Sequence, residues 1–346
     1  MAGLFGSVLI TSCTKNDDSK VPPVGGKRVF IVCEGSFGSG NSSLGAYYPD
    51  KDSVYNNVYF AANNSSLGDV FQDMAKIGNR FFLSVNNSNK VVAVSDSNLK
   101  MEATVTVQQP RYILPISGSK AYVSSLFNDK VYKLDPKGVM VTGEISFPGT
   151  NTEGMLQHNG KVFVCVWDTA INSIYMVDTS TDAIEGSMKI AGAAPHTMLL
   201  DKDQNLWVFS GNSYYGKPAT ITKIDPATGA ILKSFTLPST VDITKPVFNK
   251  TRDTFYFIET DYTVAANNGV FRMPILANGL PIQPFVPAQQ FQYFYALGAD
   301  PVNGDIYVGD PKGFTQSGAV LIYRPDGSLK KQFTTGVAPS SFYFAY

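Results

Sequence analysis

Two histidines, three cysteines and a run of aspartates are the residues of this 346-residue chain whose types could carry metal or nucleophilic chemistry. Their spacing argues against most of it. Asp201-Lys202-Asp203-Gln204-Asn205 copies the opening of a calcium loop but lacks the glycine and the distant glutamate that complete one, so it reads as a hairpin turn. No Gly-x-Ser-x-Gly elbow and no phosphate-cradling Gly-Lys-Ser/Thr motif occurs, which removes the commonest signals for hydrolysis by a serine nucleophile and for nucleotide use. What remains is a scatter of hydrogen-bonding and charged residues: Gln72, Asp73, Arg111, Glu153, His196 and Ser340. His196 could act as a base beside Glu153 or Asp73, or sit as an ordinary satisfied histidine. Which of these groups meet depends on the elements that carry them.

Those elements repeat. An aromatic recurs inside a β-rich run at Phe30, Phe82, Tyr122, Phe163, Trp207, Tyr256 and Tyr307, at intervals of 52, 40, 41, 44, 49 and 51 residues. Its neighbours repeat too, as in Lys120-Ala121-Tyr122-Val123-Ser124, Lys161-Val162-Phe163-Val164-Cys165 and Asp305-Ile306-Tyr307-Val308-Gly309. Polar turns such as Asn159-Gly160 and Asn303-Gly304 precede most of these strands, so the segment before each is its antiparallel partner. A third strand follows, ending at an acidic turn (Asp135, Asp178, Asp225), and then a fourth. Four strands per unit and seven units predict an all-β, seven-bladed β-propeller over residues 28–346. The first unit lacks an inner strand, and residues 339–346 resemble the inner strands at Pro110 and Pro195, so they are expected to pair inside blade one and close the ring.

A propeller brings the starts of the inner strands and the loops between second and third strands to one rim. Around the central funnel this gathers Gln72, Asp73, Arg111, Tyr112, Glu153, His196, Tyr295 and Ser340. The rim loops carry Phe37, Phe127, Trp167, Tyr214 with Tyr215, Tyr262 and Phe314, an aromatic in six of seven blades. Rings on exposed loops offer rigid contact area for a flat organic molecule or a sugar face; alternatively they pack under their own loops. Arg111 could clamp a ligand carboxylate or phosphate, or be neutralised by Glu153 on the next blade. The same alignment puts His158 and His196 on opposite faces and Cys33 and Cys165 across the ring, so no metal, cofactor or disulfide is expected and both thiols should be free and buried.

The 28 basic and 28 acidic residues balance, so no general field would gather nucleic acid or an anionic bilayer. No run of about 18 apolar residues is present to span a membrane. Leu9-Ile10-Thr11-Ser12-Cys13 reads as a lipoprotein cleavage box, with residues 1–12 a signal segment, Cys13 lipidated and 13–27 a flexible, polar then Pro/Gly-rich tether. Asp17 and Asp18 resemble a surface-export tag of gut-type Gram-negative lipoproteins. The expectation is a monomeric propeller held at the outer membrane, on the cell surface, by its lipid alone.

Lys161-Val162-Phe163-Val164-Cys165-Val166, then Ile174-Tyr175-Met176-Val177-Asp178, then Met188-Lys189-Ile190-Ala191-Gly192 resembles the unit of the bacterial YVTN/YncE-like propellers, without the threonine and asparagine of that signature. Glu34-Gly35-Ser36-Phe37-Gly38, Asn41-Ser42-Ser43-Leu44, Leu67-Gly68-Asp69-Val70-Phe71-Gln72-Asp73-Met74 and Asn86-Asn87-Ser88 are similar to surface lipoprotein propellers of gut-type bacteria. Some of those capture cobalamin for a TonB-dependent transporter. The resemblance implies a surface-anchored binding protein that takes a small organic nutrient, cobalamin or a relative, on its aromatic rim and passes it on without turnover. Two other readings stay open: an adhesion scaffold for protein or glycan, and a lactonase- or lyase-like enzyme using His196, Glu153 and Arg111 in the funnel.

Overall fold

The computed structural model describes residues 25–261, 263, 268–289 and 292–346. Cys13, Asp17, Asp18 and Tyr262 lie outside the described residues. The chain forms seven antiparallel sheets of four strands each. Blades two to seven run in chain order, with inner strands at Phe71–Ile77, Pro110–Ser117, Thr152–His158, Pro195–Leu200, Val241–Phe248 and Ala296–Ala299. Blade one takes Arg28–Cys33, Ser43–Tyr48 and Ser53–Tyr55 from the start of the chain and Pro339–Ala345 from its end. The closing strand pairs antiparallel with Arg28–Cys33, from Arg28 opposite Ala345 to Cys33 opposite Pro339.

The seven recurring aromatics mark the second strands, and all seven side chains are buried. Both faces of these strands are covered, because each blade packs against a neighbour on either side, so they read as near-continuous apolar runs. Arg28–Cys33 shows the period-two division: Phe30 and Val32 pack toward blade two with Phe81 and Leu83, while Val29, Ile31 and Cys33 pack toward blade seven with Tyr307 and Val320. The core is thus seven apolar clusters, one in each cleft between adjacent blades. Asp201, read from sequence as a hairpin turn, is one: Asp201 N–H donates to Asn205 O, and its side chain accepts from the Trp207 indole at 2.9 Å. Cys33 and Cys165 are free, buried thiols, and burial pushes the Cys33 thiol up to about 11.

One irregularity positions the site. In six of the seven blades the pairing of the inner strand shifts near the mouth of the channel. The bulged residues are Gln72, Arg111 with Tyr112, Glu153 with Gly154, His196, Lys245 with Pro246, and Ser340. A bulge adds a residue, bends the strand and re-aims its side chain, which is why bulges gather at the rims of closed sheets. Proline opens three of these strands (Pro110, Pro195, Pro339), where no ladder N–H is needed. The residue before each inner strand is left-handed in five blades: Val70, Gln109, Asn151, Ala194 and Ala338.

Candidate functional site

The bulges bring the polar inner-strand residues of successive blades within contact. Arg111 donates from Nε to Glu153 Oε1 at 2.9 Å and from Nη2 to Oε2 at 3.2 Å, and its Nη1 donates to Gln72 Oε1. Three blades are thereby laced together by one guanidinium. Burial opposes its charge, but Glu153 beside it holds Arg111 above its ordinary range. Of the two readings of Arg111 left open by sequence, the structure has the neutralised pair.

Asp73 accepts at Oδ2 from the Ile113 backbone N–H at 2.8 Å, and burial raises its carboxyl despite that bond. Tyr112 lies under the Arg111 guanidinium, 5.5 Å from the ring centre, its phenol raised by burial. His196 Nδ1 lies 3.1 Å from Thr197 Oγ1, and burial lowers the imidazole to about 4, with Asp242 opposing. It is a neutral histidine at neutral pH, beside a threonine and not beside Glu153 or Asp73 as a partner. Ser340 is buried and turned to its own sheet, its hydroxyl 3.5 Å from Val32 O.

Above the funnel stand the loops between second and third strands. Phe37, Phe127, Tyr214 and Tyr215 are 81%, 74%, 87% and 66% exposed. These rings do not tuck beneath their loops. Trp167 is the exception, half-buried with its indole N–H donating to Gly211 O at 3.0 Å, so it braces blade four against blade five. Phe314 is partly exposed and packs edge-on against Tyr295 at 4.9 Å, joining rim to funnel. Ser36 Oγ donates to Phe314 O at 2.8 Å and Gly38 N to Asp69 Oδ2 at 2.9 Å, which fixes the Phe37 loop to both neighbouring blades. Phe127 and Phe314 both have left-handed backbone, φ 59° and 65°. Bulky residues rarely adopt it, and such strain collects where a side chain must be presented in a set direction.

Two funnel residues escaped the sequence reading. Glu34, at the end of the first strand of the chain, accepts from the Tyr295 hydroxyl at 3.0 Å through Oε2, while its Oε1 is buried with no hydrogen-bond partner. Lys245 places its ammonium 5.1 Å from the centre of the Tyr295 ring. The signal for Lys245 was the Lys245-Pro246 pair: a proline inside a would-be inner strand marks a bulge, and bulges are where the other blades aim their polar residues. Glu34 had no comparable signal, because only the ring closure brings it to Tyr295, 261 residues away.

Comparison with known proteins bears on the fold. Solved structures that match include a quinonprotein alcohol dehydrogenase-like protein of Bacteroides thetaiotaomicron (TM-score 0.69, 16% identity, 91% of this chain and 77% of that one). A candidate 6-phosphogluconolactonase of Bacteroides fragilis matches at TM-score 0.66 and 12% identity over 92% and 98% of the two chains. Apo AztD of Citrobacter koseri matches at 0.61 and 11% over 93% and 98%. At these identities the likeness is one of fold, and a dehydrogenase-like and a lactonase-named protein stand side by side among the matches. No curated protein matches the chain. A family profile described as "Domain of unknown function (DUF5074)" matches residues 27–344.

Proposed function

The chain belongs to the DUF5074 family over the whole propeller, and from that premise we propose that it is a binding protein that captures a small organic molecule at the aromatic mouth of its ring. One observation carries the reading: exposed rings at Phe37, Phe127, Tyr214, Tyr215 and Phe314 crown a funnel whose Arg111 and Glu153 are already spent on each other. Exposed, loop-borne rings, two of them (Phe127 and Phe314) on left-handed backbone, suit face-on contact with a flat or ring-shaped ligand. An enzyme of the kind that would use His196, Glu153 and Arg111 finds less support, since Arg111 and Glu153 hold each other and His196 lies against Thr197.

In the same proposal Cys13 carries a lipid that holds the propeller at the outer membrane, facing a TonB-dependent transporter, and cobalamin is the first ligand to test. Calorimetric titration of cobalamin and smaller aromatic nutrients into the purified propeller tests the binding face. Replacing Phe37, Tyr214 and Tyr215 together with alanine should weaken capture by about 2 kcal/mol or more, as loss of central aromatic anchors does. Unchanged affinity in that variant rejects this face. Capture of a folded protein or a glycan, lost in the same variant, would select the scaffold reading instead.

A further inference from the structure

Among the described charged side chains around the funnel, Lys245 is left uncommitted. Arg111 and Glu153 hold each other, Asp73 holds the Ile113 amide, and Glu34 holds the Tyr295 hydroxyl. Among the described residues, the Lys245 ammonium makes no salt bridge and no hydrogen bond; its contact is the face of Tyr295. The backbone delivers it there at some strain, with φ 51° inside the blade-six bulge, immediately before Pro246.

We propose that Lys245 is a nucleophilic amine that captures carbonyl compounds, aldehydes foremost, as a reversible imine inside the funnel, with the Tyr295–Glu34 pair handling the protons. The inference goes beyond the rim-binding reading and does not depend on it.

A lysine becomes a useful nucleophile when desolvation or a neighbouring cation disfavours its charged form. Both operate here: burial lowers the Lys245 ammonium below its usual range, and Arg111 adds to that. The carboxylates that face it, Glu34 from blade one, Glu153 from blade four and Asp73 from blade two, oppose the shift without cancelling it. The Tyr295 phenol, raised far above its ordinary value by burial and then by Glu34, stays protonated and so remains a donor.

The steps balance. The Lys245 ammonium, disfavoured by burial, gives up a proton to water. The free amine attacks the carbonyl carbon, a C–N bond forms, and the C=O π electrons move to oxygen; proton transfer from nitrogen to that oxygen gives a neutral carbinolamine. Tyr295, held by its hydrogen bond to Glu34, donates its phenolic proton to the hydroxyl, the C–O bond breaks and water leaves, and the proton first given to water restores the phenol. Aldehyde and lysine ammonium have become protonated imine and water. Hydrolysis reverses the sequence and releases the carbonyl compound.

The test uses the purified protein, benzaldehyde as probe and sodium cyanoborohydride to reduce any imine to a stable secondary amine, followed by peptide mass spectrometry. At about pH 7, Lys245 should be labelled faster than the exposed Lys51, Lys137 and Lys312 of the same molecules, because burial lowers its ammonium and leaves more of it as free amine. Its labelling should reach half-maximum at a lower pH than theirs. Lys245→Arg should remove that adduct and leave the other three unchanged. Tyr295→Phe and Glu34→Gln should slow Lys245 labelling while the exposed lysines keep their rates. Because the comparison is internal to one folded sample, a variant that fails to fold does not protect the proposal. Labelling of Lys245 in the unsubstituted protein no faster than at the exposed lysines overturns it.

Discussion

Arg111 of blade three and Glu153 of blade four, 42 residues apart in sequence, meet as a two-pronged ion pair at the bulges of adjacent inner strands. Glu153 is 3% exposed in its side chain and Arg111 19%. The pair therefore ties the ring together where it also floors the funnel.

Removing one partner strands the other. Glu153→Ala leaves a largely buried guanidinium uncompensated and should destabilise the fold by about 3 kcal/mol, at the low end for a buried pair because Arg111 keeps some contact with water. The double variant Arg111→Met, Glu153→Leu should recover most of that loss. Urea denaturation of both checks it, and equal instability of the single and double variants contradicts it.

His196 makes stability pH-dependent with a definite sign. The unfolded imidazole takes a proton near 6.5 and the folded one only near about 4, so between these values the unfolded chain binds more protons. Stability contributed by the neutral folded histidine is therefore present above 6.5 and is lost as pH falls through that window. His196→Gln should remove a dependence of about 2 kcal/mol between pH 7 and about 4.5. Parallel unfolding curves for the two proteins across that range would rule it out.

The left-handed backbone at Phe127 predicts an unusual order of substitutions. With φ 59°, glycine fits where alanine does not, so Phe127→Gly should be more stable than Phe127→Ala by about 1 kcal/mol. Both remove the same exposed ring and should lose the same ligand affinity. Thermal melts compare the two directly, and the reverse order would show that the loop relaxes once the ring is gone.

Ring closure rests on the last strand. Phe342 and Phe344 pack on Tyr307 of blade seven at 5.6 and 5.3 Å, and Tyr343 packs on the other side against Phe81 of blade two at 5.6 Å. Deleting residues 339–346 removes three half-buried rings, uncovers Tyr307 and Phe81, and leaves Arg28–Cys33 without its inner partner. A loss of about 3 kcal/mol or more is expected from the rings alone. Hydrogen exchange should then rise first along Arg28–Cys33, which native protein protects.

Sequence alone determined the architecture: seven aromatic-centred strands at near-regular intervals, polar turns before them, and a terminal segment shaped like an inner strand. Each strand's burial on both faces leaves a local record in its own residues, so period and composition suffice to read it. The same record placed Phe37, Phe127, Tyr214 and Tyr215 on surface loops, because a loop between two buried strands must run over the surface. Tertiary structure decided which polar groups are spent and which are free. Whether Arg111 faces a ligand or Glu153, whether Trp167 is a rim ring or an inter-blade brace, and where Glu34 and Lys245 lie depend on bulges and on contacts between blades. Those contacts join residues tens to hundreds of positions apart, and no local pattern encodes them; only closing the ring sets the distances on which charge pairing depends.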